Sequence, residues 1–124
     1  MYDHIGLKVA NLDASVRFYS AALAPLSIEL YSRDASGAGF GPGGAAALWL
    51  QQATGVAPHS VHVAFKAADR SAVDRFHAAG LRGGGRDNGA PGLRADYSPT
   101  YYAAFLIDPD GNNVEAVCLR GDKP

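Results

Sequence analysis

The chain has 124 residues, 48% of them hydrophobic, which is enough apolar material for one domain with one or two small cores. Its net charge of −1 excludes the basic surfaces that bind nucleic acid or acidic membranes. No apolar run approaches the roughly 18 residues of a spanning helix, and the chain begins directly with a strand pattern, so neither an anchor nor a signal peptide is expected. A single cysteine, Cys118, cannot form an internal disulfide, and we therefore expect a cytoplasmic protein.

The first half of the chain predicts a strand, a helix and three further strands. Alternating apolar residues predict a strand over residues 2–10. Asn11 or Asp13 caps a helix over residues 12–24, and Pro25 ends it. The remaining strands are predicted over residues 27–33, 36–40 and 45–51, and residues 54–58 form a connector.

The second half repeats this order. A strand is predicted over residues 60–67, and Asp69 caps a helix over residues 70–79 that stops at Gly80. A weak strand over residues 83–87 and a loop over residues 88–100 follow. Two apolar strands, residues 101–107 and 114–119, are then joined by Asp-Pro-Asp-Gly, whose turn chemistry predicts a tight hairpin.

An internal repeat relates the two halves. A shift of 58 residues lays RFYSAAL over RFHAAGL and His4 over His62, while a shift of 67 matches the Pro-Gly-Gly and Pro-Asp-Gly turns. The difference between these shifts, 67 − 58 = 9, makes the second copy nine residues longer, most naturally in the loop over residues 88–100. The sequence therefore predicts an α+β domain over residues 1–124. It consists of two tandem βαβββ modules, about 1–53 and 59–120, which form a curled mixed sheet around a central cavity with the helices outside.

Glu115 places a charge inside an apolar strand, where it costs several kcal/mol unless it is paired or bound to a metal. Under the repeat, Glu115 corresponds to Trp49 at a shift of 66, and the two modules would bring both to one cavity with His4 and His62. Two imidazoles and one carboxylate suit a divalent metal such as Fe, Zn, Mn, Ni or Co. The alternatives are two ordinary hydrogen-bonded histidines and a Glu115 paired with Arg17 or Arg120.

The whole chain resembles the vicinal oxygen chelate superfamily, also called the glyoxalase/bleomycin resistance/dioxygenase family. The resemblance is carried by DHIGLKVANLDASVRFY with His4, SVHVAF with His62, and DPDGNNVE ending at Glu115. It implies paired βαβββ modules that curl round a divalent metal, commonly in a homodimer and sometimes with modules exchanged between chains. No nucleic-acid or membrane partner is implied.

Departures from the family pattern bear on the reaction. Glyoxalase I and related epimerases carry a carboxylate or amide at the position of Trp49, and tryptophan can serve neither as ligand nor as base. Gln51, on the same strand face by period two, is the possible substitute. We expect a metal-dependent glyoxalase- or dioxygenase-type enzyme acting on a small oxygen-rich substrate. The alternatives are a non-catalytic protein that sequesters an antibiotic-like molecule, and a thiol transferase similar to the fosfomycin-resistance enzymes.

The predicted substrate pocket combines Trp49 with residues of the second module. Arginines and tyrosines of the loop and hairpin would hold an anionic or aromatic ligand at the mouth of the cavity; they are Arg86, Arg94, Tyr97, Tyr101 and Tyr102. Strand alternation turns only one of Tyr101 and Tyr102 inward, and the sequence leaves open which one. The alternative is that the tyrosines cover the sheet edge and the arginines are solvated.

Overall fold

The computed structural model describes residues 1–55 and 61–121, which form two βαβββ modules. The first module contains β1 (Ile5–Val9), α1 (Leu12–Leu23), a one-turn 3₁₀ helix (Ala24–Leu26), β2 (Glu29–Arg33), β3 (Gly37–Gly41) and β4 (Leu48–Gln52). The second contains β5 (His62–Lys66), α2 (Arg70–Arg82), β6 (Arg86–Leu93), β7 (Tyr102–Ile107) and β8 (Asn113–Cys118). Neither helix is both long enough and apolar enough to cross a membrane, within the described ranges.

Each module has its own four-stranded sheet, with orders β1-β4-β3-β2 and β5-β8-β7-β6. The first and last strands of each module are parallel, and the other pairs are antiparallel. Among the described residues the two sheets share no hydrogen-bonded strand pair, so no closed barrel forms. The predicted α+β class with two modules is confirmed.

The repeat is visible in the strand register. Gly6 lies opposite Trp49 between β1 and β4, and Ala64 lies opposite Glu115 between β5 and β8. These two pairs are related by the shifts of 58 and 66 that the sequence predicts. Trp49 and Glu115 therefore occupy equivalent positions on equivalent strands.

The inner faces of both sheets and the two helices share one core. Phe18 of α1 and Phe76 of α2 are both fully buried in it. Close packing of α2 against β7 and α1 depends on Gly80, where an added Cβ would lie 2.2 Å from Cδ1 of Leu106 in β7 and 3.3 Å from Cβ of Ala22 in α1. The core therefore lies between the modules, and each sheet keeps a second, outer face.

The Asp108–Asn112 turn connects the modules as well as the strands of its hairpin. Asp108 is 2% exposed, and its carboxylate accepts hydrogen bonds from the hydroxyl of Tyr19 (2.5 Å) and from the main-chain and side-chain nitrogens of Asn112 (2.8 and 2.9 Å). Asp110 accepts one from the main-chain N–H of Ala10 (3.0 Å). Gly111 supplies the positive φ of 93° that the turn requires. This turn thus fixes module one against module two.

The element boundaries differ from the prediction mainly in module two. The loop predicted over residues 88–100 is wrong in its first part, because β6 continues to Leu93. An edge strand with register irregularities tolerates Pro91, which lacks the N–H of a ladder hydrogen bond. Helix α2 runs past Gly80 to Arg82, and Gly83 then donates to the carbonyl of Ala79. Part of the predicted connector over residues 54–58, and Ser60 of the predicted strand, lie outside the described residues.

Candidate metal centre

Glu115 is 2% exposed and has two partners on the outer face of the second sheet. Nε2 of His62 lies 2.9 Å from Oε1, and the hydroxyl of Tyr101 donates to Oε2. The arginines considered as partners lie elsewhere: Arg17 donates to the carbonyl of Arg82 and Arg120 to that of Ala68. The buried carboxylate therefore has an imidazole and a phenol as its side-chain neighbours.

His4 does not join this pair within the chain. It precedes β1 and is exposed, and its Nδ1 lies 2.7 Å from Oδ1 of Asp3. It lines an apolar pocket of about 190 Å³ between the modules, together with Val63 and Phe65. By strand alternation these two residues point to the opposite face of β5 from His62. The sheet of the second module thus lies between His4 and the His62–Glu115 pair. In residues 1–55 and 61–121, no group of three His, Cys, Asp or Glu residues is placed so that it could hold a metal.

The register decides between the two tyrosines. Tyr101 reaches Glu115, and burial together with this hydrogen bond raises the pKa of its phenol to about 12. Tyr102 lies on the inner face, where its hydroxyl donates to Asp74 (2.6 Å) and its ring lies 5.0 Å from the guanidinium of Arg70. The expectation that Tyr102 lines the same pocket is wrong, because consecutive strand residues point to opposite faces.

An aromatic and cationic cluster adjoins Glu115. Phe105 lies directly opposite Glu115 between β7 and β8, with its ring stacked at 6.4 Å on that of His62. The guanidinium of Arg94 lies 5.3 Å from the centre of the same ring. Tyr97 makes an edge-to-face contact at 5.0 Å with Tyr101. Phe105 is absent from the sequence-predicted site, although its period-two relation to Tyr101 on one strand face could have indicated it.

Trp49 and Gln51 lie on the other sheet. Both are exposed, Trp49 by 39%, and the indole covers Gly39, where an added Cβ would lie 2.7 Å from the ring. The single cavity predicted to unite Trp49 with His62 and Glu115 is therefore not formed within one chain. Cys118 is buried, as a structural thiol would be. The side chain of His77 in α2 is 11% exposed, and its Nε2 lies 2.8 Å from Oδ1 of Asp87.

Comparison with known proteins assigns the family. The model of the glyoxalase-like domain matches residues 4–117. The chain belongs to this family, within the vicinal oxygen chelate superfamily. None of the curated proteins searched matches this chain.

Solved structures agree with the glyoxalase-like assignment. A glyoxalase/bleomycin resistance protein from Albidiferax ferrireducens T118 is 29% identical, with a TM-score of 0.79 over 95% of this chain and 98% of that one. A glyoxalase/bleomycin resistance protein/dioxygenase family enzyme from Burkholderia phytofirmans PsJN is 14% identical, with a TM-score of 0.74 over 95% and 98%. A lactoylglutathione lyase from Agrobacterium tumefaciens is 20% identical, with a TM-score of 0.69 over 95% and 92%. The last two likenesses concern the fold alone.

The donor atoms of this glyoxalase-like domain fit two positions of a metal site. Nε2 of His62 and Oε1 of Glu115 lie 2.9 Å apart, close enough for both to contact one ion. The same separation also suits a direct hydrogen bond. An imidazole and a carboxylate are a donor set acceptable to zinc and to first-row transition metals. Two of the three predicted ligands are thus adjacent, whereas the third, His4, lies apart from them within the chain.

Proposed function

We propose that this chain is a metal-dependent enzyme that acts on a small oxygen-rich substrate. His62 and Glu115 of one copy and His4 of a second copy would hold one divalent ion at each site of a homodimer. The observation that carries the proposal is the pair of donor atoms, Nε2 of His62 and Oε1 of Glu115, 2.9 Å apart on the outer face of the second sheet. Proteins of one fold can share a set of metal-binding residues and still catalyse different reactions. The substrate therefore depends on the residues that line the site.

The second copy is invoked because of the way the modules pack. The outer faces of both sheets remain uncovered by helices of their own chain, and His4 has an exposed ring at the edge of module one. Module one of one copy, placed against module two of another, would bring His4 to the outer face that carries Glu115. A closed twofold dimer does this twice, once for each chain.

A bound metal would supply Lewis-acid polarisation of substrate oxygens. The protein groups would prepare the site for it. Tyr101 holds Oε2 of Glu115 through its hydroxyl, which leaves Oε1 directed at His62. Phe105 covers the floor beside the carboxylate and keeps this part of the site apolar.

The first test is elemental analysis of protein purified without chelator. The parent should contain one divalent ion per chain, and the His62→Ala variant should lose most of it. His77→Ala is the matched control, because His77 contacts Asp87 away from the site. A parent without metal after saturation and dialysis, or an unchanged metal content in His62→Ala, would reject the assignment.

A mixing experiment tests the second copy. His4→Ala and His62→Ala should each bind little metal alone. When they are mixed and allowed to exchange, each mixed dimer should regain one intact site, formed by His4 of one chain and His62 of the other. A site built within one chain would not recover, since every chain then carries one defect.

The second candidate is a non-catalytic protein that binds a small molecule. It is favoured by the observation that Glu115 already has two side-chain partners without a metal, since the Tyr101 hydroxyl donates to Oε2 and His62 lies 2.9 Å from Oε1. Quenching of the single tryptophan by an aromatic ligand, unchanged after removal of metal by EDTA, would support this candidate. Loss of the signal after EDTA would instead favour the enzyme.

A further inference from the structure

The guanidinium of Arg94 lies in a preformed seat, which consists of Gly89 and Gly92 of β6. An added Cβ at Gly89 would lie 3.2 Å from Nη2 of Arg94, and one at Gly92 would lie 3.2 Å from Nη1. The guanidinium therefore lies close over two glycines of β6, where a larger residue would displace it. Nη2 also donates to the carbonyl of Ala90 (2.7 Å), and the ring of Phe105 lies 5.3 Å away.

This seat leaves most of the guanidinium available. Arginine has five N–H donors, and one of those in Arg94 is used, by Ala90. Among the described residues no carboxylate lies within ion-pair distance of Arg94. A half-buried guanidinium with free donors suits bidentate binding of an oxyanion.

The position of Arg94 relates it to the candidate metal centre. Phe105, over which Arg94 lies, is directly opposite Glu115 in the sheet. The Glu115 carboxylate, which alone would repel an anion, is engaged by His62 and Tyr101. A molecule bound next to the His62–Glu115 pair could thus place an anionic group at Arg94, with Phe105 beneath it.

We infer that Arg94 forms an oxyanion subsite, and that the substrate carries a carboxylate or phosphate-like group. The inference rests on the proposed function for the role of this group as part of a substrate. The subsite itself needs only Arg94, its glycine seat and Phe105. It can therefore be measured with or without metal.

Binding of inorganic phosphate and of acetate, followed by NMR at constant ionic strength, tests the subsite. Both anions should shift the amide signals of residues around Gly89 and Phe105. Arg94→Gln should weaken phosphate binding about tenfold or more, as loss of a charge-assisted hydrogen bond implies. Arg94→Lys should recover part of the affinity, because it keeps the charge but not the planar fork. Arg75→Gln removes an equal charge from the exposed surface of α2 and should change nothing.

Equal phosphate affinity in Arg94→Gln and Arg75→Gln would overturn the inference, as would the absence of shifts around Phe105. Metal affinity, measured on the same variants by chelator competition, separates this result from a failure of the proposed function. Arg94→Gln should bind metal as the parent does. If the parent binds no metal, the proposed enzyme fails, while phosphate binding by the metal-free protein still decides the subsite.

Discussion

Replacing Tyr101 with phenylalanine isolates the hydrogen bond that holds the candidate ligand Glu115. The variant loses the hydroxyl that donates to Oε2 but keeps the ring, and with it the edge-to-face contact with Tyr97 at 5.0 Å. His62 then remains the only side-chain partner of Glu115 among the described residues. Tyr97→Phe is the matched control, because Tyr97 is 66% exposed and contacts the cluster through its ring.

The expected loss of unfolding free energy follows from the burial of Glu115. Hydrogen bonds to charged groups contribute roughly 1.5–3 kcal/mol. Glu115 is 2% exposed, but Tyr101 is only half-buried, so about 1.5 kcal/mol is expected from the lower end of that range. Tyr97→Phe should stay within about 0.5 kcal/mol of the parent. Urea unfolding at pH 7 measures both, and equal stabilities of the two variants would refute the reasoning.

Because of the same hydrogen bond, the stability of the folded protein should depend on pH in the alkaline range. Burial and the contact with Glu115 raise the pKa of Tyr101 from 10.0 to about 12 in the folded protein. The folded state therefore favours the neutral phenol, and this contribution is fully present below pH 10 and lost as pH rises through 12. The stability difference between parent and Tyr101→Phe should be constant from pH 7 to 9.5 and shrink above pH 10. A difference that grows over this upper range would contradict the assigned direction.

Three further measurements test how the two modules pack and how two copies associate. Tyr19→Phe removes a donor 2.5 Å from buried Asp108 and should cost about 2 kcal/mol in urea unfolding; an unchanged midpoint would contradict the role of this contact between modules. Gly80→Val places atoms against Cδ1 of Leu106 in β7 and should lower stability by about 1–3 kcal/mol, whereas a stabilised variant would show that α2 has room to move away from β7. Trp49, 39% exposed in one chain, should shift its emission to shorter wavelength as concentration drives dimerisation, and constant emission through a measured dimerisation would argue against burial of this face.

The fold followed from the sequence because its signals are local and occur twice. Alternation in the strands, the helix caps Asn11 and Asp69, and the shift of 58 residues between the two modules all predict the same element order. The equivalence of Trp49 and Glu115 followed as well, since register within each module is set by the strand pattern. Each of these features depends on neighbours along the chain or in the same sheet.

The composition of the site could not be predicted to the same extent, because it depends on how the modules pack. Nothing in the repeat specifies that α1 and α2 pack together around Gly80, which turns the outer faces away from the shared core. His4 and His62 are therefore equivalent in sequence but lie at different surfaces. The choice between Tyr101 and Tyr102 depended on a register that a one-residue slip would reverse.

The two modules differ in the strand that carries an aromatic ring on the outer face. Gly39 lies opposite Trp49 in module one, and Phe105 lies opposite Glu115 at the equivalent place in module two. Each pair thus contains one aromatic ring on the outer face, but the ring is on the last strand in module one and on the preceding strand in module two. The exchange frees the last strand of module two for a carboxylate, with Phe105 beside it as an apolar floor. In module one the indole over Gly39 fills the corresponding space. Each chain therefore carries one carboxylate at these two equivalent positions, and in the proposed dimer His4 of a second copy would complete each site.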